Sequence, residues 1–151
     1  MRFIPGHSFI LALVLIISLF SDACLADRSI VVVVSSSVPV EQFTKQEVSS
    51  FFLGESSGSS LVDTAFDRND YVLKGRFYRQ VAGMSLNRLR AFWAKKVFTS
   101  RGRPPKAIEP DMIENRDAFG DSFITYMYED ELTDTFKVVY TLEAEAKEEQ
   151  K

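Results

Sequence analysis

The chain has 151 residues with a formal net charge of −3, a single His (His7) and a single Cys (Cys24). Both lie in the first 24 residues, so a chain shortened past that point lacks the side chains of Ser-His-Asp or Cys-His catalysis, of ordinary zinc and haem sites, and of disulfides. The charge is unevenly spread: residues 74–106 carry ten bases (Lys74, Arg76, Arg79, Arg88, Arg90, Lys95, Lys96, Arg101, Arg103 and Lys106) and no acid, whereas residues 107–151 carry four bases and thirteen acids.

In chain order, Met1-Arg2-Phe3 precedes an apolar run from Phe9 to Phe20, and Ser21 to Ala26 ends in small residues. That order describes a secretory signal peptide, residues 1–26, cut after Ala26. Its 12-residue apolar core falls short of the roughly 20 residues a membrane-spanning helix needs, so no transmembrane segment is expected after cleavage. Lipoprotein processing at Cys24 is the alternative. The expected location is the periplasm, with residues 27–142 as one domain and 143–151 as a charged, disordered tail.

Ser29 to Ser35 is a β-branched run suited to a strand buried on both faces. Thr44 and Glu47 have capping-box spacing, Phe43 and Val48 the spacing of a hydrophobic staple, and Gly54 is a helix-stop glycine, predicting a helix between them. Gly54 to Ser60 reads as a flexible loop. Leu61 to Phe66 predicts a second strand and Asp67-Arg68-Asn69-Asp70 a polar turn. Asp70 is the expected cap of a helix with Leu73, Phe77, Tyr78 and Val81 on one face. Ser85 is the expected cap of another, with Leu86, Leu89, Phe92, Trp93 and Val97 as its apolar stripe and Pro104-Pro105 as its stop. Phe92 and Trp93 read as core. A short helix over Asp111–Phe119 and strands at Phe123–Tyr128 and Phe136–Leu142 complete the pattern. Glu129-Asp130-Glu131 reads as solvated. The alternation predicts an α/β fold: a mixed sheet of about four strands with about four helices.

Phe43-Thr44-Lys45-Gln46-Glu47-Val48 leading to Phe52-Leu53-Gly54 resembles the "Leu-Thr … Ile-Phe-Leu-Gly" element of phosphate ABC-transporter substrate-binding proteins. Gly75 to Gly83, Leu89 to Pro105 and Phe123 to Tyr128 are similar to that family's "Phe-Tyr … Val-Leu-Gly", "Tyr-Trp … Phe-Thr-Gly-Arg-Gly-x-Pro-Pro" and "Ile-Gly-Tyr" elements, in the same order. The resemblance spans Ser29 to Leu142 and is to the short members. It implies a single lobe of periplasmic-binding-protein type rather than the two that close on a ligand in a transporter component. It also implies binding of phosphate or another small oxyanion, with no catalysis and no cofactor. The chain departs from the family where phosphate binders place Ser, Gly and Thr at a helix start: here stand Arg68-Asn69-Asp70-Tyr71. Lys74 stands where Arg is frequent, and Thr125 where glycine precedes the strand Tyr.

Three uses of the basic block are open. It is a solvated helical surface with stems covering apolar area, an anion-binding face, or a docking face for an envelope protein with an acidic surface. Export and the absence of a nucleic-acid-binding module argue against nucleic acid. For an anion, the candidate residues are Asn69, Lys74, Arg76, Arg101, Gly102 and Arg103, around the start of the helix capped by Asp70.

Overall fold

The computed structural model describes residues 28–55, 61–109, 112 and 119–143. The expected signal peptide, the loop at 56–60, nearly all of the expected helix at 111–119, and the tail beyond Glu143 lie outside them. Within them run β1 (Ile30–Ser35), α1 (Lys45–Phe52), β2 (Thr64–Arg68), α2 (Tyr71–Ala82), α3 (Leu86–Phe98), β3 (Lys106–Ile108), β4 (Phe123–Tyr128), a 3-10 turn (Glu129–Glu131) and β5 (Phe136–Thr141). No helix among the described residues is long and apolar enough to cross a membrane.

The strands form one mixed sheet in the order β3-β2-β4-β1-β5. β1 is antiparallel to both neighbours, and β2 is parallel to β3 and β4. Both faces of β1 are buried because successive side chains alternate between two cores. Ile30, Val32 and Val34 join Phe52, Leu73, Phe77, Tyr78 and Tyr126. Val31 and Val33 join Phe66, Ile108, Phe123, Met127 and Phe136. A continuous β-branched run is the pattern such a strand requires, even with antiparallel partners.

The expected cap at α1 forms: the Glu47 amide donates to Thr44 Oγ1, and the Thr44 amide donates to Glu47 Oε2 at 2.7 Å. The Thr44 amide and hydroxyl hold the Glu47 carboxyl below its usual range. Phe43 and Val48 are both buried, as the staple demands. Gly54 follows with φ +60°, and a Cβ there would meet the Trp93 ring at 3.2 Å. α2 buries its expected stripe, with Phe77 stacked on Tyr126 at 3.7 Å between centroids.

The structure corrects several of these expectations. β2 runs to Arg68, so Asp67 and Arg68 are buried strand residues, not turn; their charges are neutralised inside the fold, as described below. The apolar stripe of α3 ends a turn early: Leu89 and Trp93 are buried, while Val97 is 51% and Phe98 92% exposed. The helix also stops well before Pro104. Ser100 adopts φ +56°, its amide donates to Val97 O and the Arg101 amide to Lys96 O, a Schellman closure with serine where glycine is usual. β3 was not anticipated, since three residues show no periodicity. The sheet has five strands in place of about four; three α-helices are described, and the fourth expected one, at 111–119, lies almost wholly outside the described residues.

Candidate functional site

The chain leaves the sheet at the end of β2 and turns through Asn69 and Asp70 into α2. Two ionised residues end that strand, Asp67 at 2% and Arg68 at 1% exposure. An unpaired charge at such depth is strongly unfavourable, so each must be matched within the fold. Asp67 Oδ1 accepts from the Tyr126 hydroxyl and, at 3.0 Å, from the Arg68 amide. Asp67 Oδ2 accepts from the Tyr78 hydroxyl at 3.3 Å and pairs with Lys74 Nζ at 2.6 Å. Burial first, and the Asp67 charge second, push both tyrosines well above their ordinary range.

Arg68 points its guanidinium at Glu131, with Nη2 donating to Oε1 at 3.1 Å and Nη1 to Oε2 at 3.3 Å, and Nη1 also reaches the Tyr126 carbonyl at 3.4 Å. Glu131 additionally accepts from the Tyr128 amide at 2.9 Å. Asp130 takes Arg28 in a two-pronged contact at 2.6 and 2.7 Å. The acidic triplet expected to be solvated thus contains the counter-ion of a buried arginine. Thr125, in place of the family's glycine, is buried with its hydroxyl donating to Phe66 O at 3.1 Å.

Beside this network lies an open cleft of about 410 Å³ lined by Arg68, Asn69, Tyr71, Lys74, Leu86, Leu89, Arg90, Trp93 and Pro104. Its lining combines apolar side chains with three cations and an amide. Leu86, Leu89, Arg90 and Trp93 share one face of α3 by their i, i+3, i+4, i+7 spacing, so a single helix supplies both characters. Arg90 is exposed and its side chain makes no ion pair among the described residues. Trp93 is 7% exposed, and its Nε1 has no hydrogen-bond partner among those residues.

Of the residues expected to meet an anion, Asn69 and Lys74 line the cleft. Asn69 Nδ2 also donates to Glu109 Oε1 at 2.6 Å. Arg76 lines an adjacent hollow and donates from Nη1 to the Arg28 carbonyl at 3.1 Å. Arg101, Gly102 and Arg103 are exposed in the turn after α3, and only Pro104 of that turn lines the cleft. The first amides of α2 are already engaged: Val72 and Leu73 each donate to Asp70 Oδ1 at 2.9 Å. A carboxylate of the chain itself therefore takes the place an anion would hold at that helix end.

Arg90 and Trp93 are not among the site residues expected from the sequence, which assigns Trp93 to the core. The signal was present, since a base four residues after Leu86 and three before Trp93 interrupts an otherwise apolar stripe. Arg88, Arg90, Lys95, Arg101, Arg103 and Lys106 are exposed, with no ion pair among the described residues. Lys96 differs: its Nζ donates to the carbonyls of Leu53 and Gly54 at 2.6 and 3.1 Å and so caps the C-terminus of α1.

No family model matches the sequence, and no curated protein matches it. Solved structures do. A protein described as a phosphate ABC transporter substrate-binding protein with bound phosphate, from Clostridium perfringens, superposes with a TM-score of 0.53 at 13% identity, over 74% of this chain and 44% of its own. An ABC-type phosphate transport receptor from Vibrio cholerae superposes with a TM-score of 0.54 at 10% identity, over 74% of this chain and 45% of its own. The chain spans less than half the length of these structures, and at such identity the likeness is one of fold. It has the α/β fold of a phosphate-binding-protein lobe.

Proposed function

We propose that this protein is an exported, non-enzymatic binding domain of the periplasm that seats an anion in the cleft at the end of β2. One observation supports the reading above the others. The cleft gathers Asn69, Lys74 and Arg90 with apolar side chains, in the fold of proteins one of which was solved with phosphate bound. Arg90 is the primary contact in this account, because its guanidinium is not committed to a carboxylate among the described residues and offers paired donors to an oxyanion. Lys74 adds positive potential but is shared with Asp67. Recognition rests on side chains rather than on helix amides, since Asp70 holds those amides. Binding involves charge-assisted hydrogen bonds and no bond is made or broken.

Isothermal titration calorimetry at low salt, with inorganic phosphate and small organic phosphates and carboxylates, tests the proposal. Saturable heat that is lost in Arg90→Gln supports it, and no heat at millimolar ligand with any of these anions removes it.

A second reading is favoured by a separate observation. Phe98 and Val97 are exposed beside the unpaired bases Lys95, Arg101 and Arg103, a mixed apolar and cationic surface at the end of α3. Such a surface fits docking on an acidic envelope partner. Salt-sensitive binding of a labelled acidic peptide, abolished by Arg101→Glu with Arg103→Glu while anion titration stays unchanged, supports this use. Equal binding by parent and variant rules it out.

A further inference from the structure

We infer that the ligand of the cleft is an organic anion with an apolar body, such as an aryl phosphate or carboxylate, rather than a free inorganic oxyanion. This inference rests on the proposed anion-binding function and narrows its substrate class.

The lining is the first argument. Leu86, Leu89, Trp93, Pro104 and the ring of Tyr71 supply the apolar part of the lining, and Arg68, Lys74 and Arg90 its ionic groups. A compact, fully hydrated oxyanion fills little of about 410 Å³ and leaves that apolar lining wet. A ligand with a ring or chain covers it while its head reaches Arg90, and burying that apolar area adds affinity that a bare oxyanion cannot obtain.

Trp93 points the same way. It lines the cleft while its Nε1 is buried, so the surface it offers a ligand is apolar carbon rather than a donor. Such a ring suits an apolar body on the ligand.

The third argument is subtraction. The features that suit a small bare oxyanion are already used internally: the α2 amides hold Asp70, and Lys74 holds Asp67. What remains is one guanidinium, an Asn69 amide shared with Glu109, and apolar lining, the usual composition of a site for a small organic molecule.

Trp93 is the only tryptophan in the chain, so its fluorescence reports on the cleft directly. The purified protein is titrated with phenyl phosphate, phenylacetate and inorganic phosphate at low salt, by fluorescence and by calorimetry. At least one aryl anion is expected to bind at least about tenfold more tightly than inorganic phosphate, the increment from burying a ring. Arg90→Gln is expected to weaken that binding about tenfold, and Trp93→Phe, read by calorimetry, about fivefold through the lost ring contact. Arg88→Gln, on the same helix but outside the cleft, is the charge control and leaves affinity unchanged. Inorganic phosphate binding as tightly as the aryl anions overturns this inference and leaves the anion-binding function standing. No binding by any of the three overturns both. Aryl binding indifferent to both Arg90→Gln and Trp93→Phe places the ligand elsewhere and also overturns it.

Discussion

Replacing Lys74 with Met separates a structural role from a ligand-binding one. Lys74 Nζ lies 2.6 Å from Asp67 Oδ2, and the two side chains are 28% and 3% exposed. Removing one partner of a buried ion pair costs about 3–5 kcal/mol, because the other charge stays buried. Asp67 retains the Tyr78 and Tyr126 hydroxyls and the Arg68 amide, and water reaches the lysine side, so the loss falls at or just below the bottom of that range. A loss of about 2–3 kcal/mol is expected for Lys74→Met. With a urea slope of about 1.5–2 kcal/mol/M, the unfolding midpoint falls by about 1.5 M. In a double-mutant cycle with Asp67→Asn, the coupling is about 1.5–2 kcal/mol, since each single change disturbs the same pair. Being largely buried, the pair is only weakly screened, and most of the coupling persists in molar salt. A Lys74→Met loss within about 0.5 kcal/mol, additive with Asp67→Asn, would rule out the buried pair and return Lys74 to the cleft as an ordinary surface cation.

Three further outcomes are expected. Tyr78 and Tyr126 have folded pKa values raised above their unfolded value of about 10. Their contribution is full below that pH and is lost as pH rises toward the folded values, so they ionise only on unfolding. Tyrosinate absorbance followed beside far-ultraviolet circular dichroism checks this, and their ionisation with the fold intact contradicts it. Ser100→Gly stabilises the protein by about 1 kcal/mol, because serine carries a steric penalty at φ +56° that glycine does not; an unchanged denaturation midpoint denies the strain. Thr44→Ala costs about 1 kcal/mol by opening both arms of the capping box, read in the same denaturation experiment.

The parts of the fold legible in the sequence are those whose signals are local. The box at Thr44 and Glu47, the caps at Asp70 and Ser85, and the β-branched run at Ile30 to Val34 form as their chemistry dictates. Asp67 and Arg68 escaped because their partners, Lys74, Tyr126 and Glu131, come from other elements, and a charged pair inside a strand is locally indistinguishable from a turn. The end of α3 was misplaced because Ser100 closes it in a conformation that a serine does not advertise. For the site, the neighbourhood was legible and the chemistry was not. Asn69 and Lys74 do line the cleft, yet only the three-dimensional neighbours of the α2 amides and of Lys74 show that these groups are already engaged. Arg90 belonged to a block of ten similar charges, and only its spacing of three from Trp93 on the expected helix marked it out; that this face borders a cleft is what the fold adds.

The most direct measurement is a proton–nitrogen correlation spectrum recorded during anion titration, because the single indole N–H in the chain belongs to a residue that lines the cleft and gives one resolvable signal. This signal is expected to move saturably with an organic anion, together with the Asn69 side-chain amide, and neither is expected to move in Arg90→Gln. A stationary indole signal across the anion series, with the fold intact, would contradict anion binding in the cleft.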